Sequence, residues 1–224
     1  MKLRELESAL GGVRVFERPK VALEQYPTGA HLAACMLHTM EASFGELEGA
    51  VVADLGCGTG VLSVGAALCG AAAVVGVDVD GDALEIAQHN IDEYECVGEV
   101  SLLQAPIGAG APLPLRSGSV DVVVMNPPFG TKTKGADAAF LAAARALRPR
   151  AVWSLHKSST RAFLDKYARK TLGFTEAEVV AEMRYDLPKS YRFHKKASVD
   201  IEVDLWRFEL QTDDEEPSLL NSAI

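Results

Sequence analysis

Two adjacent prolines, Pro127 and Pro128, fix the point where a strand must stop. The run before them, Val120-Asp121-Val122-Val123-Val124-Met125, is dominated by β-branched residues. A run of that kind reads as a buried parallel strand. Proline locks φ and has no N–H to donate to a ladder, so the strand ends at Asn126. Asn126-Pro127-Pro128-Phe129 is thereby presented at a strand's carboxyl end, where open α/β sheets bind their ligands. Taken alone, the tetrapeptide reads equally well as a proline turn with Phe129 in the core.

The first half of the chain favours the ligand reading. Ala50 to Leu55 forms a strand, Gly56-Cys57-Gly58-Thr59-Gly60 a turn, and Val61 to Leu68 a helix. Strand, glycine turn and helix make a nucleotide-binding unit, because backbone without Cβ atoms lets a ligand approach closely. The spacing is Gly-x-Gly-x-Gly, preceded by Asp54. A dinucleotide fingerprint requires a glycine one position later, where Val61 stands. The second strand, Ala73 to Val77, ends at Asp78, about 18 residues past the glycines, and such an acid suits hydrogen bonding to a ribose diol. The competing reading makes Asp78, Asp80 and Asp82 turn and cap residues. Asp80 or Asp82 caps a helix near 82–94, with Glu85 completing a capping box on Asp82.

The remaining pattern extends the alternation. Residues 2–10 form an amphipathic helix with Leu3, Leu6 and Leu10 on one side, and Gly11-Gly12 ends it. Pro19 and Pro27 argue for an extended arm up to Thr28, which caps a helix over 30–44. A third strand follows at 99–104, a proline-rich loop at 105–118, a Gly/Lys/Thr loop at 130–135 and a helix at 136–147. The fifth strand covers 151–155. Ser158 or Ser159 caps a helix to about Leu172. The sixth strand covers 177–184. From Ser198 to Phe208 apolar and acidic residues alternate, so the last strand is half-exposed or antiparallel. The expected architecture is α/β and Rossmann-like: about seven strands, mostly parallel, with helices on both faces and an antiparallel last strand. Residues 1–210 form a single domain, 1–28 an arm over the ligand site, and 211–224 an acidic, disordered tail.

Composition excludes several classes. No stretch nears the roughly 18 unbroken apolar residues of a membrane span. The charged start, Met1 to Glu7, is no secretory signal. Cys35, Cys57, Cys69 and Cys96 lack zinc spacing and fit a reducing, intracellular setting. The net charge of −9 argues against a generic nucleic-acid binder. Yet Asp213 to Glu216 concentrate acid in the tail. Basic residues gather at 157–170 and 184–196, where a solvated helix face and an RNA contact are both admissible.

Together the glycine turn, Asp78 and Asn-Pro-Pro-Phe resemble the Rossmann-like S-adenosylmethionine-dependent methyltransferases. More narrowly, the sequence resembles the METTL5-like family, the eukaryotic 18S rRNA adenine-N6 methyltransferases. The matching stretches are Leu-Glu-Gln-Tyr-Pro-Thr (23–28), Asp-Leu-Gly-Cys-Gly (54–58), Met-Asn-Pro-Pro-Phe-Gly-Thr-Lys (125–132), Ser-Leu-His-Lys-Ser-Ser-Thr-Arg (154–161), Arg-Tyr-Asp-Leu-Pro (184–188) and Ser-Val-Asp-Ile-Glu-Val-Asp-Leu (198–205).

The resemblance implies S-adenosylmethionine as cofactor. Gln25, Thr28, Asp54, Gly56, Gly58, Thr59, Gly60, Val61, Asp78 and Ile107 would surround it, with Asn126, Pro127, Pro128 and Phe129 catalytic. Pro106 stands where the family carries an acid near the cofactor's adenine, leaving that contact to the main chain. An exocyclic amine needs acceptors aimed at its hydrogens rather than a strong base, and Asn126 Oδ1 with the Pro127 carbonyl could supply them. His156 and His194 would then be surface or RNA-facing residues. Lys132, His156, Lys157, Arg161, Lys195 and Lys196 are the candidate RNA contacts. The resemblance further implies a heterodimer with a small zinc-binding activator subunit, joined at an edge strand near 99–104, and a nuclear, nucleolar and cytoplasmic location. The alternative activity is glutamine-N5 methylation of a release factor.

Overall fold

The computed structural model describes residues 1–108, 110, 112–188 and 198–210. Its strands are β1 (Val51–Leu55), β2 (Ala73–Asp78), β3 (Val100–Gln104), β4 (Val122–Met125), β5 (Ala151–Lys157), β6 (Glu176–Pro188) and β7 (Ser198–Glu209). They form one seven-stranded sheet in the order β3-β2-β1-β4-β5-β7-β6. The first five are parallel, and β7 runs antiparallel to both β5 and β6. From β1 the chain winds outward to β2 and β3, then crosses back to β4. The carboxyl ends of β1 and β4 therefore lie side by side, with connections leaving in opposite directions. That is the switch point where a crevice opens in an α/β sheet.

The acid inside the β4 run has a local purpose. Asp121 Oδ2 accepts from Val51 N at 2.8 Å, while Asp121 N donates to Val51 O at 2.8 Å. This exchange sets the β1–β4 register, Val52 opposite Val122 through Asp54 opposite Val124. Strand side chains alternate between two cores. Val52, Val122, Val124 and Trp153 face a cluster with α1 (Leu3–Leu10), α2 (Ala30–Phe44) and α3 (Val61–Leu68). Ala53, Leu55, Val123 and Met125 face a second cluster with α5 (Ala136–Ala146) and α6 (Arg161–Tyr167). The remaining helix, α4 (Gly81–Glu93), follows β2. Among the described residues no helix is long and apolar enough to cross a membrane.

Several local expectations are corrected. The last strand is antiparallel but not half-exposed: β7 lies between β5 and β6, and Asp204 on its acidic face is fully buried. Its carboxylate takes Arg161 Nε and Nη2, each at 2.7 Å, and Ser158 Oγ at 2.6 Å. Against the push of burial, these donors hold Asp204 below the usual carboxylate range. The bond to Asp204 occupies Ser158. Neither serine caps α6, which ends at Tyr167 and continues as a π turn to Leu172. Gly29, not Thr28, precedes α2. Asp80 rather than Asp82 caps α4, by accepting from Asp82 N, so no box forms on Asp82. The expected acidic tail at 211–224, and Lys195 and Lys196, lie outside the described residues.

Helix α3 lies close to its neighbours because Gly65 has no side chain. A methyl group there would overlap Leu37 Cδ1 and meet Leu10 Cδ1 at 3.4 Å, and both leucines are buried. Alanine ordinarily stabilises a helix relative to glycine. Here Gly65→Ala should instead lower stability by about 1–2 kcal/mol, because overpacking outweighs propensity. A denaturant melt with an unchanged or raised midpoint would show that the α1–α2–α3 packing has slack.

Candidate active site

The crevice is floored by the glycine turn. Gly56 and Gly58 have φ of +75° and +55°. A Cβ on Gly56 would lie 2.8 Å from Phe140 Cε1, and one on Gly58 2.8 Å from Phe16 Cζ. Phe140 of α5 and Phe16 of the arm thus close on bare backbone, and side chains there are excluded twice, by conformation and by space. Above this floor is a cavity of about 260 Å³, lined by the turn, Asp78 and Val79, Pro106 and Ile107, Asn126 and Pro128, the start of α5, and the arm from Ala22 to Tyr26.

The arm is clasped at both ends of the cavity. Lys20 Nζ pairs with Asp80 and Asp82, and Gln25 Nε2 donates to Asp80 Oδ2 at 2.6 Å. Burial works against ionising Asp80, but the Lys20 ammonium and Gln25 amide hold it below its ordinary range. Across the cavity, Glu24 Oε1 accepts from Lys132 N at 2.7 Å. Glu24 is buried and takes a left-handed φ of +52°, a conformation costly for a side-chain-bearing residue. Asn126 Nδ2 donates to Thr28 Oγ1 at 2.8 Å. Asn126 Oδ1 is buried without a hydrogen-bond partner.

Two acids sit at different depths. Asp78 lines the cavity, with Oδ2 accepting from Gly58 N and Oδ1 from Asp80 N, each at 2.9 Å. Burial raises its pKa. Asp54, expected beside the cofactor, instead lies behind the turn, 1% exposed, accepting from Ser63 Oγ at 2.6 Å. Its other oxygen has no partner, and burial raises its pKa to about 7.

Other expected residues separate in the same way. Gln25, Gly56, Gly58, Asp78, Ile107, Asn126 and Pro128 line the cavity. Thr28, Thr59, Gly60, Val61, Pro127 and Phe129 are outside its lining, and the Thr59 carbonyl is taken by Asn90 Nδ2 at 2.8 Å. His156 is not at the surface: it is fully buried, with Nε2 2.7 Å from Ser154 Oγ and Nδ1 3.8 Å from Asp137. Burial lowers its pKa, so it is a neutral core group unable to meet RNA. Arg161 is already paired with Asp204 and Glu182. Lys132 is exposed. Lys157 Nζ lies 5.5 Å from the Phe129 ring centroid. With Ser159, Arg184, Ile201 and Glu202, Lys157 borders a second recess of about 450 Å³. Sequence reasoning missed Phe16, Glu24, Val79 and Phe140. Glu24 lies inside a matched stretch and Val79 adjoins Asp78, while no local pattern marks Phe16. Nothing in an alanine-rich helix marks Phe140.

Against known proteins, residues 25–127 match the family model "Ribosomal protein L11 methyltransferase (PrmA)". The chain is 49% identical over 210 residues to the zebrafish (Danio rerio) rRNA N(6)-adenosine-methyltransferase METTL5, covering 93% of this chain and 99% of that protein. The Drosophila melanogaster protein of the same name is 47% identical over 218 residues, covering 95% and 99%. Among solved structures, PH1948 from Pyrococcus horikoshii superposes with a TM-score of 0.81 at 36% identity, covering 95% of this chain and 99% of that one.

The state of Asp54 is measurable. A carboxyl raised from 3.8 to about 7 binds more protons folded than unfolded across that interval. Its contribution to stability is thus full below pH 3.8 and lost as pH rises through about 7. Asp54→Asn, which keeps an acceptor for Ser63, should gain melting temperature over the parent at pH 8 relative to pH 5. An equal difference at both pH values would refute a buried, uncompensated Asp54.

Proposed function

The chain belongs to the METTL5 family of rRNA N(6)-adenosine methyltransferases, and from that premise we propose that its cavity aligns S-adenosylmethionine with the N6 amine of an adenosine in 18S rRNA. S-adenosylmethionine is the methyl donor of this enzyme. The observation that carries the mechanism is the buried, partnerless Oδ1 of Asn126, a residue of the cavity lining. An unmade bond to a buried acceptor costs about 1–3 kcal/mol, which a substrate amine would recover.

The adenine amine is a weak nucleophile because its lone pair is delocalised into the ring. Asn126 Oδ1 and the Pro127 carbonyl would accept its two hydrogens and favour the positive charge that develops on nitrogen during attack. Proline at 127 and 128 keeps these acceptors rigid. Phe129 would stack on the base and hold its plane. The bound sulfonium supplies a methyl group already activated for transfer, so alignment replaces a general base. Asp78 would exchange its bond to Gly58 N for the ribose diol. Val79, Ile107 and Phe140 offer apolar walls for the adenine, whose amino group is left to main chain beside Pro106.

Lys157 and Arg184, in the recess beside Phe129, would hold phosphates of the strand carrying the target, and the exposed Lys132 would add to them. The family members name rRNA, which does not favour a release factor as substrate. For the cell we propose the nucleus, nucleolus and cytoplasm, where rRNA is made and matured. We further propose a heterodimer with a small zinc-binding activator. Strand β3 is at the sheet edge. Glu99 O and Ala105 N bond inward to β2 and Val100 N is taken by Cys96 O, so by alternation Val100 O and the backbone groups of Leu102 and Gln104 face outward as a template for an added strand.

Asn126→Ala should lose transfer while S-adenosylmethionine affinity, read by calorimetry, stays within about twofold, since the lost acceptor meets only the amine. Turnover equal to the parent on rRNA from cells lacking the enzyme removes Asn126 from the chemistry. Mass spectrometry of nucleosides from each subunit's rRNA in those cells tests the 18S assignment. For the partner, co-expression should raise solubility and melting temperature. Gln104→Pro, which deletes an outward N–H at an exposed position, should weaken pairing and leave cofactor affinity intact. A lone chain that is monodisperse, fully active and unchanged by the partner contradicts the heterodimer.

A further inference from the structure

We propose that the solvent face of α6 is a stacking platform for single-stranded rRNA: Phe163, braced by Tyr167, takes a base of the strand that carries the target, and Lys166 and Lys170 take its phosphates. This placement rests on the rRNA substrate read above and deepens it, by naming where the strand runs once it leaves the crevice.

Helical spacing builds the face. Leu164 and Ala168 belong to the second core and are fully buried. Phe163, Lys166, Tyr167 and Lys170 stand at i, i+3, i+4 and i+7, a single stripe on the opposite side of α6 and the π turn that continues it. Lys166 and Lys170 are exposed. Phe163 is 55% exposed even though its ring is stacked on Tyr167, with centroids 5.7 Å and planes 10° apart. Tyr167 is itself packed against the second core, so it holds the phenyl ring at the surface and keeps it from folding inward. An isolated exposed apolar side chain needs no explanation. A braced ring flanked by cations is different: it offers what a polyanion with flat bases requires, aromatic surface for a base and positive charge for the backbone.

Ion pairing sets these two lysines apart from their neighbours. Arg161 is held by Asp204 and Glu182, and Arg169 by Asp165 and the Ala177 carbonyl. The same pairs neutralise the acids of α6 and the adjoining part of β6. Among the described residues Lys166 and Lys170 have neither an ion pair nor a hydrogen bond, which leaves their charge to a ligand.

Position in the fold favours rRNA as the occupant. β5 ends at Lys157, at the carboxyl end of the sheet beside β4, and α6 begins four residues later. Arg161, the first residue of α6, reaches Glu182 at 2.8 Å, two residues from Arg184 of the recess. Phe163 follows two residues on, along a helix that rises about 1.5 Å per residue. The platform therefore starts beside the recess where Lys157 and Arg184 would hold the strand. β3, the edge proposed for the activator, is at the opposite side of the sheet from β6, so a subunit added there leaves this face open.

The test reads binding by fluorescence anisotropy over a range of salt, with a labelled single-stranded RNA of about twelve adenosines and uridines and a duplex of the same length. The full chain is used, with its activator if assembly requires one. Phe163→Ala and Phe163→Leu should each weaken the single strand at least about fivefold at every salt concentration, without changing the slope of affinity against salt. Binding of the duplex should stay within about twofold, because a paired base has no free face to stack. Phe163→Trp should bind at least as tightly as the parent. Lys166→Ala and Lys170→Ala should each flatten the single-strand slope by about 0.7. On rRNA from cells lacking the enzyme, Phe163→Leu should raise KM and spare kcat, with S-adenosylmethionine affinity and melting temperature unchanged.

Parental RNA affinity in both Phe163→Ala and Phe163→Leu, beside a parent that binds and methylates rRNA, overturns the platform and leaves the rRNA substrate standing. Equal weakening of strand and duplex overturns stacking. An RNA loss that tracks a lower melting temperature in both variants overturns it in favour of a packing role, and a changed oligomeric state with RNA affinity intact overturns it in favour of a protein contact. A parent that neither binds the strand nor methylates rRNA contradicts the rRNA reading, and the platform with it.

Discussion

The site depends on the pairing of β1 with β4. Asp121 and Val51 exchange two hydrogen bonds at the start of that ladder, and the register they set carries through Asp54 and Val124 to the two carboxyl ends. In a parallel pair a change of register by one residue would reverse which side chains meet each core. It would also displace the glycine turn relative to Asn126. The crevice is therefore a consequence of strand order and register, and the two motifs meet although about 70 residues separate them along the chain.

Around that frame two buried carboxylates are met by arginines. Asp204 is saturated by Arg161 and Ser158. Glu46 is shared between Arg207 and the Trp153 indole. Such pairs offset a desolvation cost of several kcal/mol per ion, so removing one partner is far more harmful than the pair is stabilising. Against this background the unmatched groups stand apart. Asp54 and Asn126 carry buried oxygens without partners, the first on a residue behind the glycine turn and the second on a residue of the cavity lining. The first is relieved by holding its proton, since burial raises its pKa to about 7. An amide has no such escape, and its unmade bond is the one we propose that the substrate amine completes.

The arm shows how a segment without regular structure becomes ordered. Past α1 its prolines oppose helix and strand, and the regular piece between Gly11 and Gly29 is a single 3-10 turn at Val21–Leu23. Order comes from side chains instead: Lys20 and Gln25 on Asp80, Glu24 on Lys132 N, Thr28 on Asn126. Asp80 also caps α4. One carboxylate thereby joins the helix after Asp78 to the arm segment that lines the cavity.

Much was legible in the chain itself. The β-branched runs, the prolines after Met125 and the glycines after Leu55 act on their own neighbours through sterics and hydrogen bonding. Strand ends, the glycine turn and the α/β alternation follow from residues a few positions apart, and so does the placing of Asp78 and Asn126 at strand ends. Only the tertiary structure decided what depends on distant residues. Alternation in β7 suggested an exposed acidic face, yet flanking strands and Arg161 bury Asp204. His156 looked like a surface or RNA-facing residue and proved to be a neutral core group. Thr28 resembled a helix cap and is bonded to Asn126 instead. In each case the local pattern limits the backbone, while the partner of a polar side chain is whichever group the fold brings within about 3 Å.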